Sequence, residues 1–126
     1  MTPLRDGEVM PFAVGAGEEI FLGAQVAVNA TGFLVAGAAA TGLTYIGRAD
    51  AHVDNTGGAD GDETCLVRRK KAFLFKNSDA DPVDQSLVGQ PCYILDDETV
   101  AATDGTGTRS ESGTVLAVES AGVWVE

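Results

Sequence analysis

Along the chain, short apolar runs alternate with turn residues. From Glu8 onward they read EVMPFAV, EEIFLG, QVAVN, FLVA, LTYIGRA, ETCLVRR, AFLFK, PCYIL, TVAA, GTVLAVE and GVWVE, with Gly, Asn or Asp between them. Runs this short, interrupted this often, predict strands rather than helices. In GTVLAVESAGVWVE, alternation puts Val115, Ala117 and Glu119 on one face and Thr114, Leu116 and Val118 on the other. Ser120-Ala121-Gly122 then turns the chain into Val123-Trp124-Val125, which predicts a hairpin. QVAVNATGFLVAG predicts a second hairpin, because Asn29 to Gly32 tolerate positive φ. Helix signals are weak: Gly37 and Gly42 enclose VAGAAATGL, and DPVDQSLVGQP allows at most about two turns between Asp81 and Pro91. The expected fold is mainly β, a small barrel or sandwich with short hairpins and long polar loops. Residues 1–7 contain Pro3 and no periodicity and are expected to form a flexible N-terminal arm; residues 8–126 are expected to form a single β-rich domain.

Neither long loop carries a complete chemical motif. HVDNTGGADGDE, His52 to Glu63, offers Asp54, Asp60, Asp62 and Glu63 but not the spacing of a calcium loop. In DGTGTRSESG, Asp104 to Gly113, Ser110 stands where the third glycine of GxGxxG belongs, and the stretch opens a strand rather than a helix. His52 is the only histidine, no GxSxG or HExxH occurs, and the pairs Asp79/Asp81 and Asp96/Asp97 lie in polar turns. Cys65 and Cys92 lack a CxxC arrangement and read as two buried thiols. No catalytic residue, cofactor or metal is therefore expected. No apolar run approaches about 18 residues and the start lacks a signal-like apolar core, so a soluble chain that binds no membrane is expected.

Charge changes this picture at one place. The chain has 8 Lys+Arg against 19 Asp+Glu, a net charge of -11. Five of the eight cations, Arg68, Arg69, Lys70, Lys71 and Lys76, fall in CLVRRKKAFLFK, leaving three basic residues against nineteen acidic ones, a net -16, elsewhere. Such an acidic body repels phosphate backbones and anionic lipid, so no nucleic-acid partner is expected. In one extended strand, four consecutive charges occupy both faces, while the flanking Leu66, Phe73 and Phe75 demand burial. The strand is then expected to bulge, to overrun the core, or to lie against another molecule. Arg68, Arg69, Lys70 and Lys71 thus read either as an edge strand guarded against aggregation or as a protein interface, with a neighbouring copy offering acid in segments 50–63 and 79–104. Trp124, the single tryptophan, reads as a core anchor or a subunit-interface anchor.

The segments AHVDNTGGADGDE, VRRKKAFLFKNS, VGQPCYILDDETVAATDG, GTRS and the closing GVWV carry a resemblance. From about Gly42 to the end, the chain resembles the head-decoration, or capsid cement, proteins encoded beside major capsid genes in tailed phages and prophages. The resemblance implies a β-rich structural protein without enzymatic activity. Such a protein is made in the bacterial host cytoplasm and bound to the outside of the capsid lattice through the major capsid protein. It also implies self-association, most often as a trimer, and an N-terminal arm that Met1 to Gly7 matches in position alone. A tail, neck or tail-tube component, or a small β-fold hydrolase or ligand-binding module, are the other classes compatible with the pattern.

Overall fold

Twelve short strands and one turn of 3₁₀ helix account for the regular structure in a computed structural model, which describes residues 2, 3 and 7–126. Residues 1 and 4–6 of the expected arm lie outside the described residues; Thr2 and Pro3 are exposed and irregular. The mainly β expectation holds, and the strands fall into two units.

The first unit is a five-stranded antiparallel sheet made of β1 (Val9–Ala13), β3 (Gln25–Val28), β4 (Leu34–Ala36), β5 (Thr44–Ala49) and β7 (Thr64–Arg68), in the order β1-β7-β5-β3-β4. A parallel bridge between Val14 and Leu34, with the Gly15 amide donating to the Leu34 carbonyl at 2.9 Å, draws its two edges together at one end. Along the β1 edge Pro11 lacks an N–H, a common device against further strand pairing. A two-stranded ribbon, β2 (Glu19–Ile20) with β6 (Val53–Asp54), lies beside this sheet. Val14, Ile20, Val26, Leu34, Ala49, Cys65 and Val67 pack inside it.

The second unit is a closed five-stranded barrel of β8 (Phe73–Asn77), β9 (Pro91–Ile94), β10 (Thr99–Ala101), β11 (Glu111–Glu119) and β12 (Gly122–Val125), in the order β10-β8-β12-β11-β9. Only β8 and β10 run parallel. Phe73, Phe75, Val83, Cys92, Val100, Val115, Val123 and Val125 fill it. Both expected hairpins are present. Between β3 and β4 the Asn29 carboxamide oxygen accepts from the Thr31 and Phe33 amides, holding the turn that Gly32 completes at φ 90°. Between β11 and β12 the register shifts between Val115 and Ala117. The bulge overturns simple alternation: Leu116 stays outside, and Val118, not Ala117, packs towards the core. DPVDQSLVGQP forms a single 3₁₀ turn, Gln85–Leu87, capped by the Asp84 side chain.

The two units meet across a polar seam. Gln25, fully buried, receives a hydrogen bond from Ser112 Oγ at 2.5 Å and donates to the carbonyls of Asp96, at 3.0 Å, and Thr99, at 3.4 Å. Ser110 Oγ donates to the Ala40 carbonyl at 2.7 Å and accepts from the Leu43 amide at 3.0 Å. Strands from both units therefore share hydrogen bonds that neither could satisfy alone.

Candidate protein-docking site

The basic run is where the chain crosses from one unit to the other. β7 ends at Arg68, Lys70 adopts φ 60°, and β8 starts at Phe73 in the barrel. The expected continuous strand is thus broken rather than bulged, and Arg69 to Lys71 form a connecting turn. This answers how four charges avoid a dry core: after Arg68 they occupy no strand face. Phe73 and Phe75 are buried as expected, but Leu66 is 47% exposed, because the inward face of β7 is carried by Cys65 and Val67. Gly47 on β5 makes the crossing possible, since a Cβ there would lie 2.3 Å from the Arg68 carbonyl oxygen.

The cations are not one block of free charge. Arg68 pairs with Asp50 at 3.2 Å, Lys71 with Glu8 at 3.2 Å and, farther along, Lys76 with Glu98 at 3.1 Å. Arg69 Nη1 donates to the Gly7 carbonyl at 3.1 Å. Lys70 alone of the five makes no ion pair or hydrogen bond among the described residues, and it projects from the strained turn.

Arg69, Lys70 and Lys71 border an open groove of about 470 Å³, completed by Tyr45 and Ile46 of β5, Phe73 of β8 and the acidic Glu126. Two polar atoms of the lining residues are shielded from solvent and lack any partner among the described residues: Tyr45 Oη and Arg69 Nε. Burial pushes the Tyr45 phenol well above its ordinary pKa, so it remains a donor, and a guanidinium N–H can only donate. Leaving such groups unmet costs about 1–3 kcal/mol each.

The remaining expected features resolve without a ligand. Trp124 is not core: Val123 and Val125 point inward, whereas Trp124 lies half-buried on the outer barrel face with Nε1 donating to Glu119 at 3.0 Å. It pairs laterally with Ala117 and with Leu74, which is 42% exposed, so an apolar row crosses three strands. In the His52–Glu63 segment the carboxylates serve the local backbone: Asp60 accepts from the Ala16 amide, Asp62 from the Ala59 amide, and Asp54 from the Thr56 amide and hydroxyl. Those Thr56 bonds hold the Asp54 carboxyl below its usual pKa. Buried Asn55 anchors this loop, donating to the carbonyls of Val14, Gly15 and Ala59. Among the described residues no three His, Cys, Asp or Glu side chains cluster as metal ligands would. Cys65 and Cys92 are buried free thiols, with desolvation pushing Cys92 up to about 11. No helix is long and apolar enough to cross a membrane among the described residues.

Sequence reasoning missed one surface. The turn Phe21–Ala24, from the first unit, and the β9–β10 tip Asp96–Glu98, from the barrel, are joined where the Gln25 amide donates to the Asp97 carbonyl at 2.6 Å. Phe21 and Leu22 are 54% and 63% exposed there, beside Asp97 and Glu98. Phe21 stacks on His52 at 5.1 Å, and His52 Nε2 contacts Glu19 at 2.8 Å, which fixes the aromatic ring. Desolvation, together with repulsion from Asp96 and Glu98, raises the Asp97 pKa. Two apolar residues beside Gly23, a positive-φ turn position, were the available signal in EEIFLG.

No family model, curated protein or solved structure matches the chain.

Proposed function

We propose that this is a structural head-decoration protein of a tailed phage or prophage, a non-enzymatic small homo-oligomer that binds the capsid exterior through the major capsid protein. The observation that carries this reading is the row Ala117, Trp124 and Leu74, an apolar strip held outward on a closed barrel. Exposed apolar side chains on rigid strands are suited to binding another protein, and Trp is favoured at the centre of such contacts. The segments VRRKKAFLFKNS and VGQPCYILDDETVAATDG support the same assignment through their resemblance to the decoration family. The mechanism is clamping: many copies each cover modest areas on neighbouring capsid subunits, and multivalency makes the sum strong.

Electron microscopy of the virion that carries this chain tests the reading. Density of this size is expected on the capsid exterior, and purified protein is expected to sediment with mature capsids, with Trp124→Ala reducing capsid affinity by about tenfold or more. Finding the protein confined to the tail, or finding that it self-assembles into tubes without capsids, would overturn it in favour of a tail component.

A further inference from the structure

The groove and the unexpected tip are complementary. The groove presents three cations beside the apolar Ile46 and one carboxylate, Glu126; the tip presents the carboxylates of Asp97 and Glu98, the latter also paired with Lys76, beside the exposed Phe21 and Leu22. The two share no lining residue. We propose that the groove at Tyr45 and Arg69–Lys71 receives the Phe21–Leu22/Asp97–Glu98 tip of a second copy of this chain.

The acceptor chemistry selects the occupant. Lys70 lacks a counter-ion among the described residues, and Arg69 and Lys71 add positive charge beside it. A carboxylate supplies that counter-ion, and its charge strengthens the contact. Phosphate would also supply acceptors, but it brings no apolar surface, whereas the tip carries Phe21 and Leu22 beside its carboxylates. A compact carboxylate tip from another copy brings its own apolar side chains to cover the half-buried Ile46. Asp97, crowded by Asp96 and Glu98 in an isolated copy, gains nearby cations on docking.

Each contact joins different surfaces on the two copies, so it propagates until the assembly closes on itself. Groove and tip are small against the roughly 800 Å² per partner of a standard stable interface, so the association should be weak and salt-sensitive. This inference deepens the self-association in the proposed function and rests on that reading only for the chain having itself as a partner.

Charge exchange tests it in the full-length chain. Wild-type mass by light scattering is expected to rise between about 1 and 100 µM in low salt and to fall back near about 0.5 M salt. Lys70→Glu with Lys71→Glu, and separately Asp97→Lys with Glu98→Lys, should each weaken association by about tenfold or more while far-UV circular dichroism stays native. Mixing the two variants should restore association, because the reversed tip matches the reversed groove. A wild type that remains monomeric, variants that keep the wild-type mass, or a mixture that fails to reassociate would each overturn the proposal. Capsid sedimentation of the same samples separates the two ideas: wild type that binds capsids without self-association sinks only the groove–tip contact, whereas association without capsid binding sinks only the decoration reading.

Discussion

In the barrel every strand has two neighbours, whereas the first sheet leaves β1 and β4 as edges joined at one end by the Val14–Leu34 bridge. The cores differ accordingly. Two phenylalanines and five valines fill the barrel around Cys92, while the sheet encloses aliphatic side chains, a cysteine and small residues but no fully buried aromatic. Closure removes edges and fixes a defined volume; an open sheet must instead recruit loops, here the Asn55-anchored His52–Glu63 segment, to cover its end. A closed barrel resists deformation, and an open sheet can relax around a defect. The groove and the tip each draw residues from both units, whereas the Ala117–Trp124–Leu74 row lies on the stiff barrel alone.

The sharpest way to break that contrast is to open a hole in each core. Phe75→Ala in the barrel should cost about 3–5 kcal/mol, since the closed strands cannot collapse onto the void. Leu34→Ala, on the edge strand β4, should lie near the lower end of a range of about 2–5 kcal/mol because its neighbours can settle inward. Urea midpoints of both variants give the comparison. A Leu34→Ala cost equal to that of Phe75→Ala would show that the sheet is as rigid as the barrel.

A smaller effect is expected at the seam. Gln25→Ala strips the hydrogen bond from Ser112 and leaves the Asp96 and Thr99 carbonyls without this donor, a loss of about 2–3 kcal/mol. The cost should fall on coupling rather than on either core. The expected readout is a single unfolding transition in wild type that separates into two when tyrosine and tryptophan fluorescence are followed together, since Trp124 reports on the barrel alone. Coincident transitions in the variant would mean that the backbone seam bonds suffice to couple the units.

Much of this contrast is hidden from the sequence for identifiable reasons. Alternation within AFLFK places Phe73 and Phe75 correctly, because period-two patterning is local, whereas GVWVE leaves open whether Trp124 or its valine neighbours face inward. It fails at Ala117 and Val118, where a bulge reverses the faces, and at Leu66, where two adjacent apolar neighbours conceal which face is inward. The basic run was legible as an anomaly that neither strand face could bury. Its role as a crossover between two sheets was not, because strand partners are set by contacts distant in sequence. The groove was still less accessible: Tyr45 is twenty-four residues from Arg69 and meets it only through the β5–β7 pairing.

The last difference between the units is electrostatic. The long loop of the sheet is pinned by a neutral amide, Asn55, whereas that of the barrel is pinned by charge: Asp81 Oδ2 accepts from Thr103 Oγ1 at 2.6 Å, from the Thr103 amide at 3.1 Å and from Arg109 Nη1 at 2.9 Å. The hydroxyl bond from Thr103 leads in holding the Asp81 carboxyl below its ordinary value, with the Thr103 amide and Arg109 adding to it. A carboxyl whose folded pKa is depressed contributes stability that is fully present above its unfolded pKa, near about 4, and is lost as pH falls through the lower folded value. Asp97, shifted upward by desolvation and its acidic neighbours, has the opposite sign and favours the fold as pH drops. Asp81→Asn should therefore lower the urea midpoint modestly at about pH 7, and the deficit should shrink as the pH falls below about 4. Asn55→Ala should give a deficit that does not change between those pH values, because no proton is linked to its bonds. If the Asp81→Asn deficit is equally flat, the barrel loop is held by hydrogen-bond geometry rather than by the ionised carboxylate, and the two loops are anchored alike.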